Sequence, residues 1–186
     1  CFIGFLVIGC IVVLQKKPLE TPVPGLQLTR AISGTIALMM YFYGIAHLPL
    51  ATAVTLNYTS PLFLALLTVF WMKERRSRTL VLAMMIGFCG VGLVLQPTIE
   101  RSQWFAGVVG LASGFLAGIA ILNVRRLGQA GEPEWRTVFY FSLVASIFGL
   151  GWMLSGPISE INTERLILIL AMGGSATGAQ LAMTRA

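Results

Sequence analysis

The chain is poor in charge. Only 11% of its residues are Asp, Glu, Lys or Arg, against ~25% in an ordinary soluble domain. The acidic residues Glu20, Glu74, Glu100, Glu132, Glu134, Glu160 and Glu164 all fall in loops or at segment ends. Paired carboxylates for acid–base hydrolysis and clusters for metal chemistry are therefore missing from the apolar stretches. A proton relay through a membrane carboxylate has no donor here either. The single histidine, His47, sits at the end of an apolar run, which suits a structural or solvated role. Cys1, Cys10 and Cys89 lie within apolar runs, without metal-site spacing or a loop partner for a disulfide. They read as small hydrophobes. The net charge of +6 does not point to nucleic acid, because the basic residues form neither a basic face nor an aromatic stacking platform. Gly87, Gly90 and Gly92 lack the preceding strand that a dinucleotide fingerprint needs. No cofactor and no metal is implied, and an enzyme is not expected.

What the chain does have is apolar length. Hydrophobic residues make up 56% of it, and its mean hydropathy is +0.84. Seven segments are apolar enough for a bilayer: 1–14, 28–48, 51–72, 79–95, 104–124, 138–154 and 166–186. A helix needs ~20 mainly apolar residues to cross the hydrocarbon; several segments meet that and the rest fall a little short. Strand alternation is absent, and only helices or closed barrels satisfy the backbone in lipid. The expected fold class is an all-α membrane protein of seven transmembrane helices or part-helices. Lys16 and Lys17 follow the first apolar run, whereas a signal peptide carries its charge before it. Residues 166–186 stop without a loop. We therefore expect both ends to lie inside helices of a longer protein.

Loop charge sets an orientation. Lys16, Lys17, Arg30, Lys73, Arg75, Arg76, Arg78, Arg125, Arg126 and Arg136 flank alternate loops, while the opposite loops hold only Arg101 and Arg165. Positive residues favour the cytoplasm, so the first group faces inward, with Arg185 at the inward end of the last segment. Trp71, Trp104, Trp135 and Trp152 lie near segment ends, as interfacial anchors do. Gln96-Pro97-Thr98 and the turn at Glu132 and Pro133 separate neighbouring segments.

The third segment carries the run LNYTSPLF. Asn57, Tyr58, Thr59 and Ser60 are consecutive polar-capable residues, and Pro61 follows them. Proline has no N–H and its ring displaces the carbonyl four residues back, that of Asn57. Irregular backbone at depth is tolerated where it packs in protein or lines a wet cavity. Asn57 lies ~9 Å below the outer end of its helix and Tyr41 ~10 Å below the end of the preceding one. A tight turn joins the two, so these groups share a depth. At 100° per residue Asn57, Ser60 and Pro61 share one side, and Thr52, Thr55 and Thr59 another. Arg30, Gly34, Ala37 and Tyr41 form a stripe that excludes Tyr43. The plainer reading is helix association. It fits Thr52, Thr55 and Thr59 bonding back to the helix or across it, and Ser113, Ser142 and Ser146 as packing residues.

Gly110, Gly114 and Gly118 repeat at four-residue spacing, as do Gly174 and Gly178. Such faces let backbones approach closely, within one chain or across a homodimer.

The run YFYGIAHLPLATAVTLNYTSPLFLALLTVFWMKER, with GFCGVGLVLQP after it, closely resembles the EamA-type family of the drug/metabolite transporter superfamily. The resemblance covers nearly the whole chain. It implies a ten-helix carrier of two inverted five-helix repeats. Residues 1–97 would be a first repeat lacking its N-terminal helix, and 104–186 a second lacking its C-terminal helices. Glu74-Arg75 resembles the family's first Glu-Arg pair, and ILNVRRL ends the sixth helix. Gly174 then corresponds to Gly34 and Ala186 to Ala46, both at an offset of 140. The charge-derived orientation independently makes those two segments antiparallel.

The expected function is a secondary transporter in the cytoplasmic membrane, exporting small metabolites or drugs by alternating access. Its partners would be a small-molecule solute and the lipid bilayer. Asn57, Tyr58, Ser60 and Tyr41 are the candidate lining groups, Pro61 shapes the backbone, and Gln180 is a candidate from the second repeat. The mainly neutral lining argues against a multiply charged solute. A non-transporting scaffold and a membrane-embedded transferase are the alternatives.

Overall fold

A computed structural model describes residues 2–14, 20–71, 78–95, 103–155 and 163–185. Lys16, Lys17, Glu74-Arg75, Gln96-Pro97-Thr98 and Arg101 lie outside the described residues. Among the described residues the structure is helical, without strands: α1 (Phe2–Leu14), α2 (Pro24–His47), α3 (Leu50–Asn57), α4 (Ser60–Trp71), α5 (Arg78–Leu95), α6 (Trp104–Gln129), α7 (Glu134–Ser155) and α8 (Thr163–Arg185). Every expected segment is a helix, and one of them is two.

Several helices outrun their apolar stretch because polar residues carry them past the hydrocarbon. α2 starts at Pro24, whose missing N–H costs nothing at a first helical position. The N–H groups of Leu26 and Gln27 both donate to the Val23 carbonyl, at 3.1 and 3.2 Å. α6 continues through Arg125 and Arg126 to Gln129. It is closed by Gly131 at φ 75°, a left-handed conformation that glycine adopts without strain. Around it, Gly131 N–H donates to Gly128 O at 3.0 Å and Glu132 N–H to Leu127 O at 3.1 Å. This double bond pattern is a Schellman stop. α7 then begins at Glu134, whose charge complements the helix N-terminus.

The helices form two compact units. The first holds residues 1–35 and 123–186, the second residues 36–122. α2 and α6 each give one end to each unit. The first unit is centred on Ile8 and Val12 of α1 against Val138, Trp135 and Phe139 of α7. Phe5 and Phe139 rings lie 5.6 Å apart. At Gly4 the helices approach so closely that a Cβ would lie 2.9 Å from Thr177 Oγ1 of α8 and 3.2 Å from Ser142 Oγ of α7. The second unit is built on Leu48, Ala53, Leu56 and Ala106, with Phe63 edge-on to Phe88 at 5.3 Å and to Phe115 at 5.4 Å. These packing units cut across the boundary expected between repeats, as a partition by contact need not follow a partition by sequence repeat.

Polarity is turned outside in. Gln27, Arg30, Thr35, Thr59, Ser113 and Arg136 are buried, while Phe70, Leu93, Phe105, Trp152 and Leu154 are exposed. The spans Leu50–Phe70 and Trp104–Gln129 are each long and apolar enough to cross a membrane.

The hydroxyls that this places inside mostly bond to their own helix. Thr35 donates to Ala31 O at 2.8 Å, Ser113 to Gly110 O at 2.8 Å and Ser146 to Ser142 O at 2.6 Å, and the less buried Thr55 bonds back in the same way to Ala51 O at 2.8 Å. Such back-bonding satisfies a hydroxyl where water is absent. Thr52 departs from the expectation: its Oγ1 is buried with no hydrogen-bond partner.

Candidate functional site

The third segment breaks rather than kinks. α3 ends at Asn57, Tyr58 and Thr59 form a turn, and α4 starts at Ser60. Tyr58 sits at φ −69°, ψ 0° and its N–H still reaches Val54 O. Thr59 N–H turns to Leu56 O at 3.2 Å, three residues back. Pro61 falls in the first turn of α4, where its ring is tolerated. Leu62 and Phe63 N–H groups both donate to Thr59 O, at 2.9 and 3.1 Å. The proline thus starts a new helix instead of bending an old one. The Asn57 carbonyl, which position 61 would pair in a continuous helix, receives no such bond.

The break resets the rotation of the polar run. Thr59 is fully buried and Ser60 nearly so, Asn57 is half-buried, and Tyr58 is 74% exposed. Thr59 Oγ1 donates to Leu56 O at 2.6 Å, which fits its expected role of bonding back. Pro61 is exposed, so Ser60 and Pro61 do not share the burial that a regular helix would give them. Tyr41 is half-buried on α2, its ring 6.1 Å from that of Phe42. Among the described residues no hydrogen bond or ring contact joins Tyr41 to the break. Tyr43 instead stacks on His47 at 4.1 Å and meets Phe105 edge-on. His47 Nδ1 lies 2.9 Å from Tyr43 O on an exposed side chain, within the structural or solvated role expected of it.

The glycine face of α6 lies against this break. A Cβ on Gly110 would come within 2.7 Å of Leu56 Cδ1, and one on Gly118 within 3.1 Å of Ser60 O and 3.2 Å of Leu64 N. At Gly114 it would fall on Thr59 Oγ1 and 2.7 Å from Leu56 O. That face is therefore used within the chain. Among the described residues, Gly174 and Gly178 on α8 have no neighbour within contact of a Cβ.

Gln180 belongs to the first unit. Its Oε1 accepts from Arg30 Nη2 at 3.5 Å, at the outer limit of a hydrogen bond. Arg30 itself is 3% exposed. It lies within α2, in the segment and on the stripe where the sequence places it, and it is buried although it flanks a loop. Arg136 is the other arginine buried among the described residues of this unit. Its Nη1 donates to Glu132 Oε2 at 2.8 Å. Thr21 Oγ1 donates to Glu132 Oε1 at 2.7 Å and Gln27 Nε2 to Glu132 Oε2 at 3.3 Å. Burial alone would raise the Glu132 pKa, but the Thr21 and Arg136 hydrogen bonds, the Arg136 charge and Gln27 outweigh it and hold the carboxyl below 4.5. Glu132 lies in a loop, as the sequence suggests; its burial was not legible there.

The EamA-like transporter family matches residues 1–96. The chain belongs to that family. EamA transporters are membrane proteins, and the outward-facing apolar side chains of this chain accord with that. A pseudopaline exporter of Pseudomonas aeruginosa is 32% identical over 86% of this chain and 56% of its own length. A riboflavin transporter of Rhizobium johnstonii is 29% identical over 93% and 57%. A Helicobacter pylori protein named only as an uncharacterised transporter is 27% identical over 84% and 54%. The chain spans about half the length of the curated relatives it matches. No solved structure matches it.

Proposed function

We propose that the full-length protein is a secondary carrier that exports small metabolites across the cytoplasmic membrane. The observation that carries this reading is the broken α3–α4 span. It puts Asn57, Tyr58 and Ser60 beside an interrupted backbone within an apolar stretch long enough to cross a membrane, the arrangement that transporter helices use to hold solutes. Relatives named as an exporter of pseudopaline, transporters of riboflavin and an uptake transporter of S-adenosylmethionine support small organic solutes as the cargo. The site comprises Asn57, Tyr58, Ser60 and Tyr41, with Pro61 fixing the break; Gln180, the expected contributor from the second repeat, belongs to the other unit. Alternating access arises from rocking of repeat 1–97 against repeat 104–186. The scaffold alternative loses one of its supports, since the glycines of α6 are occupied within the chain.

The test is solute exchange by the full-length protein in vesicles preloaded with a mixed metabolite pool, followed by mass spectrometry. Selective exchange of a few solutes, lost in Asn57→Leu at equal folded protein, is the expected result. No exchange by folded wild type would remove the carrier reading, and unchanged exchange by Asn57→Leu would remove Asn57 from the site.

A further inference from the structure

Among the described residues of the first unit two arginines are buried, and only one of these faces a carboxylate. Arg136 faces Glu132. Among the described residues Arg30 faces no carboxylate: its guanidinium carbon lies 4.6 Å from the centre of the Phe141 ring, Nη2 makes the long bond to Gln180, and Nε has no hydrogen-bond partner. Taking a cation out of water without a paired anion is expensive, and neither a ring face nor an amide oxygen supplies the missing charge. Gly34 shows that the seat is built. It lies one turn along α2, and a Cβ there would collide with Arg30 Nη1 and come 3.0 Å from Phe141 Cε2. Glycine leaves the room that lets the guanidinium lie over the Phe141 ring, with an N–H left over.

We propose that Arg30, oriented by Phe141, Gly34 and Gln180, is an anion-binding site that takes a carboxylate or phosphate group of the transported solute. This rests on the carrier reading and narrows its cargo to solutes with an anionic oxygen group, within the sequence's argument against a multiply charged one. A planar guanidinium with a free N–H matches such a group in two-point fashion, and the neighbours stabilise orientation rather than charge. The same chemistry could be met by a lipid phosphate. Arg30 is closed off among α2, α7 and α8 side chains, which favours a solute.

The experiment uses the full-length protein with Arg30→Met and Arg30→Lys. The probe is an equimolar pool of amino acids, dicarboxylates, nucleoside monophosphates, neutral nucleosides and sugars, exchanged across vesicles. Anions of the pool should exchange in wild type, fall at least ~10-fold in Arg30→Met and recover in part in Arg30→Lys, which keeps the charge but not the fork. Arg30→Met should also melt no lower than wild type in phosphate-free detergent, because an unpaired buried charge has been removed. A lower melting temperature for Arg30→Met would reveal a structural ion pair and overturn the proposal. So would exchange confined to neutral solutes, which leaves the carrier standing. Stabilisation by added phosphatidylglycerol that requires Arg30, with no solute anion exchanged, would assign the site to lipid and overturn it too. No exchange of any solute by folded wild type would overturn the carrier reading and this inference with it.

Discussion

At Glu132 a single carboxylate gathers Thr21, Gln27 and Arg136, and so ties the segment before α2 to the turn between α6 and α7. A group whose pKa is lower folded than unfolded adds stability above its unfolded value and loses it as the pH falls through the folded one. Here the folded value lies below 4.5. The contribution should be complete near neutrality and fade as the pH falls from about 5 through that lower value. Glu132→Gln should lower stability by about 2 kcal/mol at pH 7, the worth of hydrogen bonds to a charged group. It should also flatten the acid limb of the melting-temperature profile below about pH 5. A variant that melts with the wild-type pH profile would show that the carboxylate does not hold these segments. Neither this network nor the buried Arg30 was legible in the sequence. Distance from a segment end says where along a helix a charge sits, and burial depends on what packs there.

Elements were more legible than sites, because apolar length is read residue by residue and closure is not. All seven segments form helices, and Pro61 marks the place where the third divides. What the proline alone could not show is that Thr59 would stand just before α4, with its carbonyl taking the N–H groups of Leu62 and Phe63. That exchange lets Tyr58 turn outward, and it follows from local hydrogen bonding that a 100° wheel does not contain. The glycines of α6 were legible as a close-approach face, and their partner was not. With Leu56 O 2.7 Å from a Cβ at position 114, Gly114→Ala must push backbone apart, at a cost of about 1–3 kcal/mol. Gly131→Ala has open space around it, so only its left-handed φ resists, at about 1 kcal/mol. Thermal melts of the two variants should therefore rank Gly114→Ala as the more damaging. The reverse order would mean that α6 can slide away from the break.

Across the whole molecule, the interior is about as polar as it is apolar among the described residues, and large apolar side chains crowd the outside. The outer face of α5 shows the pattern sharply: Leu82, Met85, Ile86 and Leu93 are 60–70% exposed. On a protein bathed in water an exposed isoleucine can become charged at a cost within ~0.5 kcal/mol. On a face covered by lipid the same change costs about 3 kcal/mol near the middle of a span. Ile86→Asp separates the two cases. It should reduce membrane insertion of the α5 segment in a translocon assay and lower the yield of folded full-length protein. Thr79→Asp, at an exposed position in the first turn of the same helix, should be far milder, because an acidic group is favoured there and lies near the interface. Equal tolerance at both positions would show that the α5 face meets water, and the reading of exposed apolar surface as membrane surface would fail with it.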